Sequence, residues 1–162
     1  MPVLLTYLNQ RRYRFFGFLL IPMFLQACNT FPKSEFIEYY QVESVKAYDD
    51  ILAELEIAIA EHNFRITGHS RVGKVIRERG SPNFPEYDTV QFCNLTHAKT
   101  LLLMSPHAVQ YMPCNIVVYQ FEGKVIIKTH LLPTHSDNAE LDKFMSQMNE
   151  ELKQIVDFAA QE

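Results

Sequence analysis

The chain is poor in the features that mark specialised protein classes. Five glycines and eight prolines in 162 residues are too few for a collagenous or low-complexity chain, and no segment repeats at a fixed period. The absence of a Gly-rich phosphate loop removes the common nucleotide motifs. Neither CxxC nor HExxH occurs, so the compact spacings that bring ligands to a zinc ion are missing. Ser70 and Ser105 lack a nucleophile-elbow context. The apolar run Phe15 to Leu25, FFGFLLIPMFL, has eleven residues, against the roughly 20 that a membrane-crossing helix needs. What remains is an ordinary globular composition, 48% hydrophobic and 21% charged, which implies one domain burying roughly two-thirds of its unfolded surface.

The amino terminus reads differently. Residues 1–27 hold three arginines and no acid, and RRYR precedes the apolar run, the order of a secretory signal peptide. The run closes in LQACN, which resembles the bacterial lipobox. Leu25 and Ala27 match its pattern, and Cys28 is the residue that would be lipidated. The resemblance implies a signal peptide over residues 1–27, a lipidated tether over 28–35 and a domain over 36–162. It also implies attachment to a membrane through acyl chains on Cys28, each buried methylene adding about 0.8 kcal/mol. Asn29, rather than Asp, after that cysteine resembles the signal for transfer to the outer membrane, facing the periplasm.

Loss of the leader's three arginines leaves twelve basic against nineteen acidic side chains, a net charge of −7. Such an excess argues against nucleic acid or an anionic lipid surface as partner.

Past the tether, strand-like and helix-like segments alternate. FIEYYQV, Phe36 to Val42, suits a first strand. Tyr48, Ile51, Leu52, Leu55 and Ile59 then recur at helical spacing, with Asn63 placed for a left-handed cap. FRITGHS reads as a strand, RVGKVIRERG as a short helix ending at Gly80, and SPNFPEYD as a loop. YDTVQFC is a further strand, after which Asn94 can cap a helix beginning LTHAKTLLLM. CNIVVYQF and KVIIKTHLL flank Glu122-Gly123, a tight hairpin signal. Asp137, with Glu140 three residues later, predicts the start of a last helix, and its stripe from Leu141 to Ala159 must lie on a sheet. The expected fold is α+β, a two-layer sandwich. A mixed sheet of about five strands is covered on one face by two long helices and one or two short ones.

The residues Cys93, Asn94, Ala98, Leu102 and Pro106, followed by Pro113, Cys114, Asn115, Tyr119 and Gly123, carry a spacing that resembles the domain of unknown function 302 family. Leu95 stands where that family often has Pro, and Asn63 where it usually has Gly. The resemblance covers about Phe36 to Ala160. It implies a small α+β domain prone to form a homodimer, with no established activity.

The cysteines are then argued from their chemistry. Cys93 is expected at a helix N-terminus, where free N–H groups favour a thiolate. Cys114 enters a buried-looking strand behind Pro113. With Cys28 acylated, these are the two remaining thiols in an oxidising compartment. They form a disulfide or redox pair, line a core or ligand cleft unbonded, or ligate a metal. The disulfide requires antiparallel strands, which bring the cysteines to one end, since parallel strands would hold them apart. A metal site would draw on His97, His107, His130 or His135, with Met104 and Met112, and these donors suit Cu(I) or Zn. His97 is the best single partner for Cys93, one helical turn away. The candidate redox or ligand site is Cys93, Cys114, Asn94, Asn115 and His97. Tyr39, Tyr40, Tyr111, Tyr119, Phe92 and Phe121 are read first as core.

Three functions are consistent with this sequence. The first is a lipid-anchored periplasmic binding or accessory module that is not an enzyme. The second is a thiol-disulfide redox or sulfur-handling protein using Cys93 and Cys114, and the third is a structural envelope or interaction protein.

Overall fold

The computed structural model describes residues 38–161. The leader, Cys28, the tether and the beginning of the expected first strand lie outside the described residues. In chain order the elements are β1 (Tyr39–Ser44), α1 (Tyr48–Glu61), β2 (Arg65–Arg71), α2 (Val72–Glu78), β3 (Tyr87–Cys93) and α3 (Leu95–Met104). A 3-10 turn (Pro106–Tyr111), β4 (Cys114–Phe121), β5 (Lys124–His130) and α4 (Ala139–Ala160) follow. Among the described residues, no helix is long and apolar enough to cross a membrane.

The five strands form one sheet in the order β1-β5-β4-β3-β2. The fold is α+β, as the alternation of elements implies, but every strand pairing is antiparallel where a mixed sheet was expected. The reason lies between β3 and β4. Helix α3 is only ten residues long and breaks at Ser105, and the 3-10 turn packs back against it. The chain therefore returns to the end of the sheet it left instead of crossing to the other.

Period-two alternation gives the sheet one apolar face. Val90 and Phe92 of β3, Ile116 and Val118 of β4, and Val125 and Ile127 of β5 are buried, and the register brings Val118 opposite Ile127 and Phe92 opposite Cys114. Ile51, Leu55, Ala58 and Ile59 of α1 join this core with Leu152, Ile155, Val156 and Ala159 of α4, three- and four-residue spacings that put each set on one helix face. Phe92 is core as read, whereas Tyr39 and Phe121 are exposed.

Local signals set most of the ends. Asn63 adopts φ 58° after α1, a left-handed conformation that Asn tolerates. Glu122 and Gly123 both have positive φ, 50° and 80°, as a two-residue hairpin turn requires. The start of α4 corrects the sequence reading by one position. Asn138, not Asp137, is the cap, its side-chain oxygen accepting from the N–H groups of Glu140 and Leu141 at 3.1 Å each. The β3 end of α2 is held by close approach: a Cβ on Gly73 would lie 2.6 Å from the Pro85 carbonyl oxygen and from the Tyr87 nitrogen. Only glycine lets that helix sit so near the strand.

Candidate functional site

The antiparallel β3–β4 ladder brings the two cysteines of the domain to one end of the sheet. Phe92 is the partner of Cys114, so Cys93 is one step beyond it. Both thiols are free. They border a common cleft with Asn94, His97, Met112 and Met148, closed by Phe64, Leu101, Tyr111 and Leu132. Its volume is about 20 Å³, room for about one water molecule.

The two sulfurs differ in environment. Cys114 is buried and Cys93 is partly exposed. Burial pushes the Cys114 thiol up to about 12, and the nearby Cys93 adds to the rise, because a thiolate there would lose its hydration and face a second negative charge. At neutral pH Cys114 is a thiol.

Asn94 caps α3, its Oδ1 accepting from the N–H of Thr96 at 3.0 Å and of His97 at 3.2 Å. Those donors were expected to favour a thiolate on Cys93, and the cap has taken them. The N–H of Ala98 is likewise used, bonded to the Asn94 carbonyl at 2.8 Å.

His97 stands in an aromatic slot. Its ring lies edge-on to Phe64 and Phe144, with centroid distances of 5.9 and 5.8 Å. The Nδ1 atom is buried and has no hydrogen-bond partner. A Glu151 carboxylate oxygen lies 3.8 Å from it, an ion-pair distance but too long for a hydrogen bond. His97, whose Nδ1 has no hydrogen-bond partner, thus lines the thiol cleft.

The remaining sequence candidates do not converge. Asn115 follows Cys114 in the strand and faces the opposite side of the sheet, beside Gln91. Its carbonyl accepts the Thr129 hydroxyl at 2.8 Å. His107 lies on the exposed 3-10 turn and His135 in an exposed loop. His130 ends β5 opposite Tyr39, and burial holds its pKa below the usual imidazole value. Met112 reaches the cleft, whereas Met104 is on the surface at the end of α3. Among the described residues, no three His, Cys, Asp or Glu side chains stand together as a metal site would require.

Sequence reasoning missed a second polar centre at the far end of β3. Asp88 is buried, and its Oδ2 lies 2.6 Å from His69 Nε2. The hydroxyl of Tyr48 donates to the Val118 carbonyl at 2.9 Å, and burial together with the nearby Asp88 raises its pKa. The available signal was parity: Asp88 is in phase with Val90 and Phe92, so a carboxylate stands in the inward-facing row of a strand. Phe64 and Met148, which help to close the cleft, read only as apolar positions.

The open face of the sheet carries a separate groove of about 240 Å³, lined by Val72, Phe84, Tyr87, Val117 and Tyr119. The Tyr87 and Tyr119 rings are stacked with centroids 5.6 Å apart.

Comparison with known proteins agrees with this architecture. No curated protein matches the chain. The crystal structure of an uncharacterized conserved DUF302 protein from Bacillus stearothermophilus superposes with a TM-score of 0.66 at 20% identity, covering 76% of this chain and 98% of that one. At that identity the likeness speaks to the fold. The profile described as "Domain of unknown function DUF302" matches residues 40–159, so the chain belongs to the DUF302 family.

Proposed function

We propose that this protein is a lipid-anchored accessory module of the bacterial envelope, held on the periplasmic face of the outer membrane through Cys28, whose working element is the Cys93–Cys114 thiol pair. The observation that carries the thiol reading is the meeting of an accessible and a buried cysteine in one small cleft. An accessible thiol can attack a substrate disulfide while a buried neighbour waits to resolve the mixed disulfide. In that sequence Cys93 displaces one substrate thiolate and forms a mixed disulfide. Cys114, after losing its proton, attacks the Cys93 sulfur and expels the second thiolate, leaving the Cys93–Cys114 disulfide and a substrate reduced by two electrons. His97, which lines the same cleft and whose Nδ1 has no hydrogen-bond partner, is a candidate to take that proton. A cleft with room for one water favours thiol exchange at its mouth over enclosure of an organic ligand.

Thiol titration of the purified protein, with and without reductant, tests this reading. One fast thiol, and loss of both on mild oxidation with a mass decrease of two hydrogens, supports it. Two inert thiols that never pair would sink it. Intact-mass measurement of membrane-extracted protein tests the anchor separately: acyl chains on a chain beginning at Cys28 support it, and an unmodified leader on a soluble product overturns it.

A second reading, an interaction protein that pairs with another copy, is favoured by the apolar groove on the open sheet face. Sedimentation equilibrium of a Tyr119→Glu variant tests it. Dissociation of a dimer supports that interface, and a monomeric parent protein excludes it.

A further inference from the structure

The basic residues of the domain are distributed very unevenly. All four arginines among the described residues, Arg65, Arg71, Arg77 and Arg79, fall in β2 and the adjoining α2 region. Together with Lys74, and against Glu78 alone, the segment Arg65–Arg79 carries a net charge of +4, while the rest of the described chain holds six lysines against sixteen acids, a net −10. Arginine is the side chain that grips carboxylates through two parallel N–H donors, which lysine cannot do.

Only one of these guanidinium groups is spent internally. Arg77 binds Glu86 at 2.6 Å and the Phe84 carbonyl at 3.0 Å, tying down the loop before β3. Arg65, Arg71 and Arg79 are exposed and have no ion-pair partner among the described residues. The first two bracket a strand that ends the sheet: β2 pairs with β3 alone. Its other edge presents backbone donors and acceptors along about 20 Å. The strand is bulged between Ile66 and Gly68. Charge and a bulge on an edge strand guard against indiscriminate pairing. Here they discriminate by sign, because a second β2 would bring arginines against arginines while an acidic strand would meet opposite charge.

We propose that the free edge of β2, flanked by Arg65 and Arg71, docks an acidic segment of another protein in extended conformation, adding it as a sixth strand. The edge supplies backbone hydrogen bonds, and the arginines select for carboxylates. The negative field of the remaining surface holds off anions that do not fit this locus. Strand β1 forms the opposite edge of the sheet.

Fluorescence anisotropy tests the proposal with the full chain in micelles of neutral detergent and a labelled eight-residue peptide with a Glu-Glu pair at each end and Val-Thr-Val-Thr between them. Saturable binding is expected, weakening several-fold between about 50 and about 300 mM salt. The Arg65→Glu/Arg71→Glu double variant should bind at least ten-fold more weakly, with Arg65→Gln/Arg71→Gln replacing it if circular dichroism shows that it does not fold. Lys143→Glu, half that charge change at an exposed α4 position, should bind as the parent does. A peptide N-methylated at alternate residues should lose binding. The proposal is overturned by no binding, by an equal loss in Lys143→Glu, or by undiminished binding of the N-methylated peptide. It is also overturned if phosphatidylglycerol vesicles take up the chain through the same arginines more tightly than the peptide, which would make a membrane the partner.

Discussion

Asn149 of α4 closes a two-bond ring with the backbone of Leu132. Its Oδ1 accepts the Leu132 N–H at 2.8 Å, and its Nδ2 donates to the Leu132 carbonyl at 2.9 Å, both buried. The segment after β5 has no strand partner at this point, so one amide side chain in the apolar face of a helix satisfies both of its polar groups. Leu132 also closes the thiol cleft, which links helix packing to the candidate site.

Asn149→Leu keeps the side-chain size but strands a buried donor and a buried acceptor. Each costs about 1–3 kcal/mol. A stability loss of about 3 kcal/mol in urea denaturation is expected, together with faster alkylation of Cys114 as the Leu132 segment loosens. Unchanged alkylation would show that this ring does not shield the cleft.

Replacing His69 should be costly for a different reason. Its Nε2 lies 2.6 Å from an Asp88 carboxylate oxygen, and Asp88 is only 5% exposed. His69→Ala leaves a buried carboxyl group without that partner, at an expected cost of about 2 kcal/mol. The double variant His69→Ala/Asp88→Asn should recover part of the loss, a coupling that a thermodynamic cycle measures.

Gly73→Ala pushes a methyl into backbone atoms of Pro85 and Tyr87, which cannot swing aside as a side chain could. A loss of about 2 kcal/mol is expected. The displaced helix should also weaken the Arg77–Glu86 pair, so adding Glu86→Gln to Gly73→Ala should cost less than adding it to the parent.

Alkaline pH should destabilise the fold through Cys114. Its ordinary value near 9 rises to about 12 when folded, so between those limits the unfolded chain releases a proton that the folded chain retains. Stability is therefore fully present below about pH 9 and falls as pH rises toward 12, by at most about 4 kcal/mol. The expected result is a shallower alkaline fall in Cys114→Ala than in the parent, read from denaturation midpoints at pH 8 to about 10.5. Parallel curves would refute the burial argument.

Much of this architecture was legible because its causes are local. The stripe of α1 shows in Ile51, Leu55 and Ile59, the cap of α3 in Asn94, and the β4–β5 hairpin in Glu122-Gly123, where backbone preference and side-chain spacing act within a few residues. The α4 cap was misplaced by one because Asp137 and Asn138 are both good acceptors and only the chain's approach chooses between them. Parity marks Asp88 as inward-facing, but its partner His69 and the partner of Asn149 were illegible, because they lie 19 and 17 positions away and no periodicity announces such a pairing.

The amino-acid order alone determined the element types, the α+β class and the presence of two thiols in the domain, since hydrophobic period and turn chemistry are properties of short stretches. Tertiary structure decided that the sheet is antiparallel throughout, that Cys93 and Cys114 meet at one end of it while Asn115 turns away, and that Arg65 and Arg71 bracket an edge strand. Those outcomes depend on the direction in which α3 and its 3-10 turn return the chain and on which strand is left last in the sheet. Both are set by packing between segments that sequence proximity does not relate.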